Sequence, residues 1–179
     1  MKKRLVSMLL ALVMVLGMLP ATALAASSEE EALGEVNIYN GEQKLSYLSI
    51  NGRIRELIYT YFNHVDANGR TKEIPAYCVN PNIYGVPQTV GPGESIKYIA
   101  KEKGSDPKVM GIIASGYPTR SLSELKLENK YHAYYATKMA LWCYLLPNWN
   151  INNLKVNPNL TGAELQRARA ILAAAKDIY

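Results

Sequence analysis

Cysteine and histidine are scarce in this 179-residue sequence, at two each. The histidines, His64 and His132, stand alone: no His/Cys/Asp/Glu group has metal-ligand spacing. Asp66-Ala67-Asn68-Gly69 uses the vocabulary of a calcium loop but lacks the later glutamate such a loop requires. No glycine-rich phosphate loop follows a strand pattern, no internal repeat is present, and no pair of carboxylates is marked out for glycoside cleavage. No metal and no cofactor is therefore expected. Neither histidine occurs in a context that would serve a cysteine nucleophile as base, so an enzyme is not expected. No apolar run reaches the roughly 20 residues of a membrane span.

Basic charge is also short once its location is considered. Lysine and arginine total 20 against 15 acids, a net +5. Lys2, Lys3 and Arg4 carry three of those charges ahead of the apolar stretch Leu5–Leu19, and Ala23-Leu24-Ala25 supplies a small-x-small cleavage signal. This order is that of a secretory signal peptide over 1–25. The mature chain keeps no clustered basic excess, which excludes a phosphate-neutralising nucleic-acid binder. No cysteine follows the apolar run, so no lipid attachment is indicated. The protein reads as secreted or cell-surface.

Residues 26–35 form an acidic leader around Glu29-Glu30-Glu31. From Val36 to about residue 80 the texture is β: alternating apolar residues, turn dipeptides at Asn40-Gly41 and Asn51-Gly52, a β-rich run Ile54–Phe62, and a hairpin through Asn68-Gly69 to a returning strand Ile74–Val79. Breakers fill Pro81–Gly93. Residues 94–179 read as the helical part. Its candidates are Glu94–Lys103, Pro107–Ser115, Asn129–Leu146 and an Ala-rich helix opened by Thr161-Gly162-Ala163-Glu164 at capping-box spacing. That last helix meets no stop signal before Tyr179, which suggests a fragment with further strands to follow. Strands followed by helices predict an α+β fold.

One residue is out of place. On a wheel of about 100° per residue, Tyr131, Tyr134, Tyr135, Leu141, Trp142 and Leu145 all fall within about 60° of Lys138. The lysine sits mid-stripe on a core-facing surface. Either its stem packs there while the amine reaches outward, or something facing it requires an amine; a buried ammonium is costly unless paired. An even cysteine count in an exported chain makes a Cys78–Cys143 disulfide the default. Against it, Cys143 lies about 140° around the helix from Lys138, away from the stripe.

Ala76-Tyr77-Cys78-Val79-Asn80, then Gly116-Tyr117-Pro118, then Tyr135-Ala136-Thr137-Lys138-Met139-Ala140-Leu141-Trp142 resemble, in order and spacing, the thioester domain of Gram-positive surface adhesins. The resemblance spans roughly residues 36–179. It implies a β-sandwich or barrel with an inserted helical subdomain, on cell-wall-anchored proteins that attach to host or neighbouring-cell surfaces. In that family a cysteine sulfur and a glutamine carbonyl form an internal thioester that a partner's amine opens. Cys78 matches the cysteine, with Tyr77 and Val79 as its flanks. Thr137, Ala140 and Trp142 match the helix motif, and Tyr77, Tyr117, Thr137 and Trp142 would wall the site. Where the family has glutamine, this chain has Lys138, which has no carbonyl to become an acyl partner. Gln88 and Gln166 lack the motif context.

Three outcomes stay open: a degenerate domain with a non-covalent or structural role, such as a stalk or pilin-like module; a Cys78–Lys138 pair, activated as a thiolate or oxidatively joined through oxygen; and a Lys138 amide to a side chain such as Asn80.

Overall fold

The computed structural model describes residues 34–79, 90–100 and 106–179. The expected signal peptide, most of the acidic leader, Asn80 and Gln88 lie outside these residues.

β1 (Gly34–Ile50) and β2 (Arg53–Val65) form a long antiparallel hairpin. Its turn is Asn51-Gly52, both at positive φ (51° and 73°), the geometry of the two-residue turns that suit a twisted hairpin. β3 (Thr71–Pro75) returns along β2 through the Asp66–Arg70 loop. There the Asp66 carboxylate accepts from the Asn68 and Arg70 amides. β4 (Ser95–Ala100) and the two-residue β5 (Lys155–Val156) both pair with β1, giving one five-stranded antiparallel sheet with the path β3-β2-β1-β4. α1 (Pro107–Ser115), α2 (Lys130–Leu145) and α3 (Gly162–Ile178) complete the expected α+β fold.

Four local expectations are corrected. Asn40-Gly41 is not a turn: β1 runs straight through it, and the irregularity becomes a bulge in the β1–β2 register. Glycine fits there because a Cβ on Gly41 would sit 3.2 Å from the Tyr59 carbonyl oxygen. Glu94–Lys103 does not begin a helix, since Ser95–Ala100 is β4; its Ile/Tyr alternation with Ser and Lys finds the free edge of Glu35–Tyr39. β3 stops at Pro75, so Cys78 lies beyond the strand instead of ending it. Thr161 occupies the N-cap of α3 but makes no side-chain cap bond, and Glu164 pairs forward with Arg167 instead of reaching back.

α2 is the centre of the molecule. Asn129 caps it by accepting from the amides of Tyr131 and His132. Every residue from His132 to Leu141 is buried, and so is Cys143. The sheet covers one side, while α1 and α3 pack against others. A helix enclosed all round needs no polar face, which is why Cys143 is buried although it points away from the aromatic stripe. The two cysteines are not joined in a disulfide.

Tyr135 keys α2 to the sheet. β1 takes three steps, Leu45 to Leu48, where β2 takes two, Leu57 to Arg55. In this bulge the Tyr135 hydroxyl accepts from the Leu48 amide (3.1 Å) and donates to the Arg55 carbonyl (2.6 Å), replacing a missing ladder rung. Tyr135→Phe leaves both backbone groups without that partner and is expected to cost about 1–3 kcal/mol in denaturant unfolding. A loss below about 0.5 kcal/mol would show that the hydroxyl is dispensable to the joint.

His132, only 4% exposed, has its Nε2 3.1 Å from the Tyr47 hydroxyl, with the Asn129 side-chain amide 3.4 Å away. Burial is the main cause holding its pKa below the usual histidine value; Glu128 opposes this, and Arg167 reinforces it. Below the unfolded value of about 6.5 the unfolded chain binds the proton more readily, so stability contributed by neutral His132 is lost as pH falls from there. Melting temperature should drop between pH 7 and 5, and His132→Gln should flatten that slope. An unchanged slope in the variant would remove His132 as its source.

Candidate functional site

Past Pro75 the chain leaves the ladder and is taken over by side chains. The Ala76 amide still donates to the Thr60 carbonyl. The Ala76 carbonyl accepts from the Thr60 hydroxyl (2.7 Å), with the Tyr134 hydroxyl 3.3 Å away, and the Cys78 carbonyl accepts from Trp142 Nε1 (3.2 Å). Tyr77 stacks on Tyr134 (ring centroids 5.0 Å, 17° between planes) and donates its hydroxyl to the Tyr117 carbonyl at 2.6 Å. Three consecutive residues, 76 to 78, are thus fastened along two turns of α2, between Tyr134 and Trp142.

Lys138 lies midway between those two anchors and is 7% exposed. Its amine donates to the Tyr134 hydroxyl (2.9 Å) and sits over the rings of Tyr134 (5.3 Å) and Trp142 (5.2 Å). The Tyr134 hydroxyl is also 2.8 Å from Thr60 Oγ1. Because Thr60 donates to Ala76, the protons run one way: Lys138 to Tyr134, Tyr134 to Thr60, Thr60 to the Ala76 carbonyl. Among the described residues no carboxylate forms an ion pair with Lys138.

The Gly116-Tyr117-Pro118 loop closes one side. The Tyr117 amide donates to Thr137 Oγ1 (3.0 Å), which itself donates to the Ala133 carbonyl (2.8 Å). Trp142 meets Trp149 edge to face, and the Arg55 guanidinium lies 4.5 Å from the Trp149 ring centroid. Burial raises the Tyr77 hydroxyl pKa well above its ordinary range. It also pushes the Cys143 thiol up to about 12, which makes that second cysteine inert.

All six residues singled out in the sequence, Cys78, Lys138, Tyr77, Tyr117, Thr137 and Trp142, therefore gather around one stretch of α2. Sequence reading missed Tyr134 as the hub, along with Thr60, Arg55 and Trp149. Tyr134 had a signal, since it lies one turn before Lys138 on the same face; Thr60 on β2 had none.

The family model for the thioester domain matches residues 75–179, more than half of the sequence and the whole of this helix–loop arrangement. The chain belongs to the thioester domain family. Among solved structures it is similar to the thioester domain of the Enterococcus faecium TIE86 protein, at 22% identity and a TM-score of 0.51. That match covers 83% of this chain and 51% of the other, so the chain spans about half the length of that relative. It is similar also to the Bacillus anthracis TIE protein, at 21% identity and a TM-score of 0.45, over 80% of this chain and 24% of that one. No curated protein matches the sequence. Both Cys78 and Lys138 fall inside the matched thioester-domain range. Among the described residues no helix is long and apolar enough to cross a membrane, and no cluster could hold a metal ion.

Proposed function

We propose that this thioester domain is an exported, cell-surface binding module of the adhesin type that works without a Cys–Gln thioester. The observation that carries the reading is the position of Lys138: an amine, buried between Tyr134 and Trp142, beside the segment that holds Cys78. A thioester requires a carbonyl carbon from which a thiolate displaces a leaving group. Lysine offers none. The family's mode of action, covalent capture of an amine-bearing ligand, then gives way to non-covalent attachment to a surface protein of a host or neighbouring cell. Export by the N-terminal leader, anchoring in the cell wall and the absence of catalysis belong to this same reading.

Intact mass tests it. The purified, reduced protein is expected to weigh what its sequence weighs and to be unchanged by methylamine. A deficit of about 17 Da, the ammonia released when a thiol or an amine acylates on a carboxamide, would overturn it.

A further inference from the structure

Lys138 is a buried amine whose surroundings are incomplete. Its amine has three donors, of which one is used on Tyr134, and it is nine-tenths buried with no carboxylate among the described residues to balance a charge. Cation–π contact with two rings supplies part of that deficit. The thiol-bearing segment is held against the same two turns by the stacking of Tyr77 on Tyr134 and the bond from Trp142. Cys78 is half-buried and so within reach of a small oxidant, whereas Cys143 is sealed in the core.

We propose that Cys78 and Lys138 are joined by an oxidative sulfur–oxygen–nitrogen bridge, with dioxygen as oxidant, that staples segment 76–79 to α2. The proposal rests on the reading above, in which Lys138 lies on α2 between the two residues that hold the Cys78 segment, Tyr134 and Trp142. In the reaction one S–H and one N–H bond break, and S–O and O–N bonds form. One oxygen atom of dioxygen enters the bridge and the other leaves as water with the two hydrogens. Sulfur and nitrogen each give up two electrons, and the four reduce dioxygen. The ammonium also releases one proton to solvent, so the product nitrogen is neutral and the uncompensated charge in the aromatic box disappears. Burial without a carboxylate partner thereby favours the bridged state over the ammonium, and reduction frees the segment again. The site becomes a redox-dependent fastener where its relatives by resemblance carry an acyl bond.

The experiment uses the full chain, purified under reductant without oxygen and then held in air-saturated buffer, followed by intact mass and peptide mapping. The expected result is a gain of about 14 Da, one oxygen less two hydrogens, on a Cys78–Lys138 cross-linked peptide, reversed by dithiothreitol. Cys78→Ser and Lys138→Met should each abolish it, the methionine keeping most of the lysine stem's volume. An unchanged mass, a gain of about 16 or 32 Da confined to Cys78, or a loss of about 2 Da would each overturn the bridge. Lys138→Gln, run in parallel, separates the two ideas. If it loses about 17 Da while the native chain gains nothing, position 138 faces the thiol and only the bridge fails. If neither mass moves, the reading beneath it fails as well.

Discussion

Lys138→Gln is expected to create a bond that the native chain lacks. The carboxamide would replace the amine between Tyr134 and Trp142, and the Cys78 thiolate would attack its carbon with loss of ammonia. The measured mass should fall by about 17 Da, and methylamine should open the product to an amide. Three features favour the reaction over an ordinary cysteine–glutamine encounter. The segment carrying the nucleophile is fixed by hydrogen bonds from Thr60 and Trp142 rather than by a mobile loop. The receiving helix is buried from His132 to Leu141, so the side chains there have few alternative rotamers. Position 138, only 7% exposed between Tyr134 and Trp142, gives few water molecules access to the acyl carbon. Cys78→Ser in the same background should hold the mass at its sequence value. If Lys138→Gln alone shows no deficit, residue 138 does not face the thiol, and the assignment of this lysine to the glutamine position is wrong.

Gly116→Ala is expected to be among the most damaging small substitutions in the chain. The backbone there, at φ −108° and ψ −166°, suits any residue, so conformation is not the obstacle. Space is: a Cβ would lie 2.4 Å from Thr137 Cγ2 and 2.7 Å from its Oγ1. Thr137 is fully buried and cannot rotate without losing both its bond to the Ala133 carbonyl and the one it accepts from the Tyr117 amide. If the loop moves instead, it carries away the Tyr117 carbonyl that holds Tyr77. Overpacking together with the lost bonds should cost about 3 kcal/mol. Gly111→Ala is the control. It sits inside α1 with nothing within 4 Å of a Cβ, and should stabilise by about 0.5–1 kcal/mol. Adding Thr137→Ser to Gly116→Ala removes the nearer clash, so the pair should cost less than the sum of the singles. Additive costs would place the strain elsewhere.

How far the sequence spoke depends on the range of the forces involved. Helix α2 was legible to within a residue at each end because its cap and terminator are local: Asn129 in front, Pro147 behind. The Asn51-Gly52 and Asp66–Gly69 turns were legible for the same reason. β4 was not, because a six-residue alternation becomes a strand only when a distant edge accepts its hydrogen bonds, here that of β1 some sixty residues earlier. Asn40-Gly41 misled because turn chemistry and bulge chemistry call for the same residues. At the site, residue types and spacing pointed to Cys78, Lys138 and their neighbours; the chain of hydroxyls through Tyr134 and Thr60 spans α2 and β2 and left no pattern.

The amino-acid order alone determined the elements whose caps and turns are local, and that a lysine would lie in the middle of an apolar helical face, since both follow from residue chemistry at short separation. Only the tertiary structure decided what that lysine meets. Enclosing α2 between the sheet and two other helices removes the water its amine would otherwise have reached, and the departure of the chain from β3 at Pro75 delivers Ala76, Tyr77 and Cys78 to the same turns. Contacts of that kind depend on the closure of the whole fold, which no local window of sequence encodes.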